Sequence, residues 1–487
     1  MVTRGTRASG LAAVAALCTV VVLPGAVLAD DKGELPTYRA ADDAKPVKGA
    51  RTSADAPPIE PGTYTDTIGR GEKKVYSVEL DARSSAFLSA VAAPAPGTKV
   101  EDYTDGLKVT LSDHSGDECS TSEDANFEGG GMAYPIADYA TRLVGGDRTA
   151  CQQKGPYYFY VERQGEATSN PGRWPIELRF MSEPGLKGSV PAEPGEGSWS
   201  TETPAPLAGS SKRKAMGGTG FNDAGSVGQG VWKDRIRPGE TRFYRVPVNW
   251  AQQLNVSAEL PNSPSEKGTS NGYIPDALGL SVFNPARGPV DGADFADYEG
   301  EQSATSLFTA PVNYGNRFSS NGPVSAMRFA GWYYLAVSMH PDTAKFFGGK
   351  GADLTLRVDL KGTPKAGPAY SKEAADFSVT PQDREMAENG LTEEQAERND
   401  TMQLVAYAGI GAGTVLLLGL GVWILLARRR SSAGAAPAAG AATASRQAQL
   451  PPQHSPHPQQ AGHAQQGGHG QAGPPPQDQQ YGPPPSW

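Results

Sequence analysis

A stretch of 36 residues occurs twice in this chain of 487, 168 positions apart, and the copies align without a gap. The first occupies residues 55–90 and the second residues 223–258. Eleven positions are identical: Asp55/Asp223, Ala56/Ala224, Gly62/Gly230, Asp66/Asp234, Ile68/Ile236, Gly71/Gly239, Glu72/Glu240, Tyr76/Tyr244, Val78/Val246, Ser89/Ser257 and Ala90/Ala258. Roughly two would match by chance at ordinary residue frequencies. The chain is therefore limited to architectures that use one folding unit twice.

Both copies alternate where a half-buried strand would lie. Tyr76, Val78 and Leu80 interleave with Ser77 and Glu79, and Leu254, Val256, Ala258 and Leu260 with Asn255, Ser257 and Glu259. The pattern resumes at Leu107, Val109 and Leu111, matched by Leu278, Leu280 and Val282. It resumes again where Gly155 opens a Tyr-rich run matched by Gly331. Arg70-Gly71-Glu72 and Pro238-Gly239-Glu240 read as tight turns with a glycine free to take positive φ. Pro247, inside a strand pattern, predicts an edge strand. Short strands between Gly- and Pro-rich turns predict an all-β chain, two tandem antiparallel jelly-roll-type β-sandwiches at 53–182 and 221–361. A disordered linker is expected at 30–52 and a Gly/Pro/Ser-rich one at 183–220.

The ends read differently. Residues 1–29 carry Arg4, Arg7, an apolar run and small residues before Asp30, the pattern of a secretory signal peptide, with an uncleaved anchor as the other reading. Residues 404–427 hold no charge and would reach roughly 36 Å as a helix, so a single transmembrane span is expected. Arg428, Arg429 and Arg430 follow it and would keep that side cytoplasmic, leaving the sandwiches extracellular on a cell-surface protein. Gly409 and Gly413 form a G-x-x-x-G pair that could dimerise such a span. Residues 362–403 read as an acidic helical stalk, capped at Thr380 and Thr392, and 428–487 as a disordered Pro/Gln/His-rich tail.

A Gly-x-aromatic-x-Asp-x-Ile segment, a Gly-Glu turn and a Tyr-x-Val strand occur in each copy. They are carried by Gly62, Tyr64, Asp66, Ile68, Gly71 and Tyr76, and by Gly230, Trp232, Asp234, Ile236, Gly239 and Tyr244. This signature resembles the bacterial pre-peptidase C-terminal domain family. The resemblance implies a small jelly-roll sandwich, associated with secretion, with substrate or matrix contact and in some cases with calcium. Acidic residues follow the third matched strand in both copies: Asp113, Asp117 and Glu118 in one, Asp291, Asp294 and Asp297 in the other. Hard oxygen ligands suit Ca²⁺, although the spacing matches no defined calcium loop and solvated surface acids are the simpler reading.

Catalytic chemistry finds no foothold. His114 and His340 sit at non-equivalent positions without a nucleophile motif beside them, and no site residue is assigned a catalytic role. The net charge of −9 argues against nucleic acid. Cys119 and Cys151, both in the first copy, are expected to form a disulfide in an exported chain. The expected function is non-catalytic: a cell-surface binding or scaffold protein for an extracellular protein or cell-wall polymer, needing no cofactor beyond the calcium weighed above. The alternative is an accessory or sensing subunit of a membrane complex, acting through its tail.

Overall fold

The computed structural model describes residues 34–120, 124–145, 150–189, 198–203, 213–263 and 272–431, leaving aside the side chains of 292–293, 399–413 and 430–431. The first copy forms β1 (Lys45–Pro46), β2 (Gly62–Ile68), β3 (Lys73–Leu80), β4 (Ser85–Ala92), β5 (Gly106–Asp113), β6 (Ala125–Asn126), β7 (Ile136–Arg142), β8 (Gly155–Gln164) and β9 (Trp174–Glu183). The second forms β10 (Arg213–Lys214), β11 (Gly225–Ser226), β12 (Gly230–Ile236), β13 (Thr241–Val248), β14 (Gln253–Leu260), β15 (Ile274–Phe283), β16 (Pro289–Tyr298), β17 (Ser303–Phe308), β18 (Gly331–Met339) and β19 (Ala352–Lys361).

Sheet order in the first copy is β1-β2-β9-β4-β7 and β3-β8-β5-β6; in the second it is β10-β12-β19-β14-β17 and β11-β13-β18-β15-β16. Setting aside the two-residue edge pieces β1, β10 and β11, each copy is an eight-stranded jelly roll, and its twin has the same strand order. Period-two alternation is what makes this work, because Tyr76, Val78 and Leu80, like Tyr244, Val246 and Val248, turn one face inward to near-zero exposure. The turn glycines behave as the sequence predicts, with φ of +65° at Gly71 and +81° at Gly239. Pro247 lies on β13, which is flanked on one side only by β11, and that strip pairs with Tyr244 and Arg245 and ends short of the proline.

The expected linker at 30–52 is ordered where it is described. It adds β1 in parallel to β2, and Tyr38 reaches across to the second copy, its ring meeting that of Phe243 edge-on at 6.4 Å. The expected stalk is also corrected. Thr380 caps the helix Pro381–Asn389 through a capping box with Asp383, and Thr392 and Gln395 cap the next helix reciprocally. The first of these helices lies against the second sandwich instead of projecting from it: Met386 and Ala387 are buried, and Gly228 and Ser226 donate to the carbonyls of Ala387 and Leu391.

The single-pass expectation for 404–427 is corrected as well. The long helix Glu393–Ser431 starts well before that stretch, in charged residues, and among the described residues no helix is long and apolar enough to cross a membrane. With no such helix among the described residues, the topology role expected of Arg428, Arg429 and Arg430 and the single-pass localisation are corrected with it. The side chains around Gly409 and Gly413 lie outside the described residues, as do the signal peptide at 1–29 and the tail from 432.

Candidate functional site

The residues that the copies share turn out to hold each sandwich together. Asp66 accepts hydrogen bonds from the Gly49 amide at 2.8 Å and the Tyr76 hydroxyl at 2.9 Å; Asp234 accepts from Gly217 and Tyr244, both at 2.7 Å. Gly49 and Gly217 are again 168 residues apart, so the repeat reaches upstream of its most visible part. Burial raises the Asp66 carboxyl, but hydrogen bonds from Lys74, Gly49, Thr67 and Tyr76 outweigh it and hold the group below its ordinary pKa. The shared Glu72 and Glu240 accept from Gly69 and Arg237 amides and close the turns.

Diverged residues build the junction between the sandwiches. β9 turns Ile176, Leu178 and Phe180 into its own core, and Glu177, Met181 and Glu183 outward to the second sandwich, all of them nearly fully buried. Arg287 donates to Glu177 at 2.6 Å and to the Asn222 side chain at 2.6 Å; the Tyr38 hydroxyl and the Ala41 amide also donate to Glu177. Arg317 grips Glu183 through two bonds of 2.7 and 2.8 Å, and Tyr370 adds a third. Burial pushes the Glu177 carboxyl up, but Arg287 and these donors pull it net below its usual range. Apolar contacts complete the seam, with the Phe87 ring 5.1 Å from Phe329 and 5.9 Å from Phe377.

Glycines admit rings across this seam. A Cβ on Gly288 would sit 2.3 Å from Tyr139, and one on Gly129 2.7 Å from Phe295. The copies are thus docked face to face, not strung as independent units.

A cleft of about 460 Å³ opens on the first sandwich between residues 37–40 and the stretch 170–177, with Thr65 and Asp66 in its wall. A second, about 480 Å³, shares Arg173 with it and is lined by Arg51, Arg70, Lys73 and Glu72 around Gly69 and Gly71.

Elsewhere the acids singled out in the sequence do not converge. Asp113 accepts from the Ser115 and Asp117 amides in a tight turn, and Glu118 is exposed beside it. Asp291, Asp294 and Asp297 are strung along β16; Asp294 accepts from Thr305, and Asp297 from Tyr273 and the Asp276 amide. Among the described residues no group of three or more His, Cys, Asp or Glu could hold a metal ion. Cys119 and Cys151 form a disulfide. The aromatic residues Tyr64, Trp232, Trp250 and Tyr333 are buried in cores, and among the described residues outside the long helix Tyr103 and Tyr273 are the large exposed rings.

No family model matches the chain, and no curated protein does. The resemblance to pre-peptidase modules therefore reduces to tandem β-sandwiches. Solved structures with overall likeness include the N-terminal tandem CBM22 domains of Paenibacillus barcinonensis Xyn10C. They show 12 % identity over 64 % of this chain and all of that one, with a TM-score of 0.16. The ANXUR2 extracellular domain of Arabidopsis thaliana shows 8 % identity over 63 % and 86 %, with a TM-score of 0.18. At such scores the fold assignment rests on the strand order of this chain itself.

Proposed function

We propose that this chain is a non-catalytic binding protein whose docked sandwiches offer a rigid recognition surface to a protein or cell-wall polymer. One observation carries the reading. The carboxylates that face the 460 Å³ cleft, Asp66 and Glu177, are both spent on internal hydrogen bonds and held below their ordinary pKa. A general acid or base needs the opposite, a free group tuned toward neutral pH. A rigid cleft with committed polar groups suits binding. The disulfide supports maturation in an oxidising compartment.

Ala95 lines the cleft from an exposed loop, so Ala95→Trp fills its mouth without touching a core. The purified full chain should be retained on cell-wall material or on a protein ligand at moderate salt, and A95W should weaken retention at least tenfold. Retention that ignores A95W, or none at all, contradicts the proposal.

A further inference from the structure

The second cleft gains its meaning from comparison with the twin sandwich. Five cations gather at this end of the first copy: Arg51, Arg70, Lys73 and Arg173 line the cleft, and Arg163 is bonded through its backbone to the turn. Backbone bonds fix that arrangement, because Gly71 donates to the Arg163 carbonyl and Arg163 to that of Glu72. Under the gapless alignment Arg51, Arg70 and Lys73 become Thr219, Pro238 and Thr241. Strand register supplies the other two. Ile68 pairs with Trp174 where Ile236 pairs with Ala352, so Arg173 becomes Gly351; Leu107 pairs with Arg163 where Leu278 pairs with Met339. None of these five positions is charged in the second copy, whose turn carries Arg237 in place of Gly69 instead.

The same end is also covered there. Leu35 and Pro341 lie against Gly239, and Arg237 donates to the Glu34 carbonyl, so the N-terminal segment caps the second turn. Around Gly71 no described residue beyond its chain neighbours comes within 4 Å of where a side chain would start. One scaffold thus carries one plugged end and one open, cationic end.

The cations are held ready for a guest. Arg70 donates to the carbonyls of Ala167 and Ser169 at 2.7 and 2.6 Å, and Arg173 to the Thr67 carbonyl at 2.8 Å; neutral acceptors orient a guanidinium without cancelling its charge. Glu72, 2.7 Å from Arg173, offsets part of the charge, and Lys73 stands 3.9 Å from Glu162 and half exposed. Arg163 is fully buried, stacks on Trp174 at 3.5 Å, and its Nε finds no hydrogen-bond partner. Burial chiefly lowers its pKa, to about 10; Asp105 offsets part of this, and the crowding of Arg70 and then Arg173 adds to it. A negative guest in the cleft would relieve that crowding.

We infer that the cleft around Gly71, framed by Arg51, Arg70, Lys73 and Arg173, binds a doubly charged oxyanion of the phosphate class, free or carried on a polymer. The site shares only Arg173 with the neighbouring cleft and does not rest on the function proposed for that one. Inorganic phosphate and a short-chain polyphosphate serve as the two probes in titration calorimetry on the full chain at low salt. Either should bind at one site per chain, weaken as salt is raised, and lose at least tenfold in affinity in the double variant Arg51→Glu, Lys73→Glu. Binding of both probes identifies the free anion as sufficient; binding of polyphosphate alone assigns the polymer-borne form.

Two controls keep the readout specific. Arg235→Glu, an exposed charge reversal on the second sandwich, and A95W in the neighbouring cleft should each leave anion affinity within twofold of the parent. Absence of binding by both probes, or an equal loss in R235E, overturns the inference. A failure of A95W to change polymer or protein retention leaves this site standing and counts only against the function proposed above.

Discussion

The two sandwiches share strand order, turn glycines and the Asp-Tyr-Gly lock, yet they treat their outer surfaces in opposite ways. The second is wrapped: the helix Pro381–Asn389 lies on one side, Leu35 plugs its turn, and residues 200–202 run along β14, accepting from Gln253 and Asn255. The first keeps its equivalent turn open, lines it with cations and carries the disulfide. What duplication kept is the hydrogen bonding that closes a jelly roll. What it released is every face where solvent, the twin or a guest sits.

The largest test of that contrast falls on the seam. Arg287→Ala leaves Glu177 buried without its cation, so unfolding in urea should show a loss of about 3–5 kcal/mol. A loss under about 1 kcal/mol would mean the seam is wet and the sandwiches independent. The repeated lock comes next. Tyr76→Phe and Tyr244→Phe each remove a hydrogen bond to a carboxylate, worth roughly 1.5–3 kcal/mol, and should cost alike in the two copies. Unequal costs, one near zero, would break the equivalence.

The smallest effect is electrostatic and has two signs. Asp66, Glu72, Asp81 and Glu177 have depressed values in the folded chain, so their stabilisation is present above the ordinary carboxylate range and is lost as pH falls through the folded values. Glu128 and Asp276 face each other across the seam beside Asp102, Asp297 and His340. Burial, then mutual repulsion with these carboxylates, raises both. Their contribution is present in acid and lost as pH rises through the folded values. Glu128→Gln should therefore stabilise slightly at pH 7, by less than about 1 kcal/mol, and not below pH 4 or so. Destabilisation at neutral pH would show the charge is welcome there.

Much of the architecture was legible because it depends on period two and on turn chemistry. Tyr76, Val78 and Leu80 announce a one-sided strand, and the spacing of Gly71 from it announces the turn. The disulfide followed from two cysteines in one copy. The seam was hidden for the same reason. Glu177, Arg179 and Glu183 alternate with apolar residues in β9 and read as a solvent face, whereas Glu177 and Glu183 are buried against arginines more than a hundred residues away. β4 is buried on both faces, as fits its near-continuous apolar run from Ala86 to Ala92, interrupted only by Ser89. The cationic cleft was equally invisible, since Arg51, Arg70, Lys73, Arg163 and Arg173 meet only once β2, β3, β8 and β9 are paired. The stalk and span readings treated charge and hydropathy as sufficient, and they missed the docking of Met386 and Ala387.

Differential scanning calorimetry on the full chain tests the docked-twin account most directly. Sandwiches joined through Glu177–Arg287 and Glu183–Arg317 should melt in one transition whose calorimetric and van't Hoff enthalpies agree. Two resolved transitions, each carrying about half the heat, would contradict it.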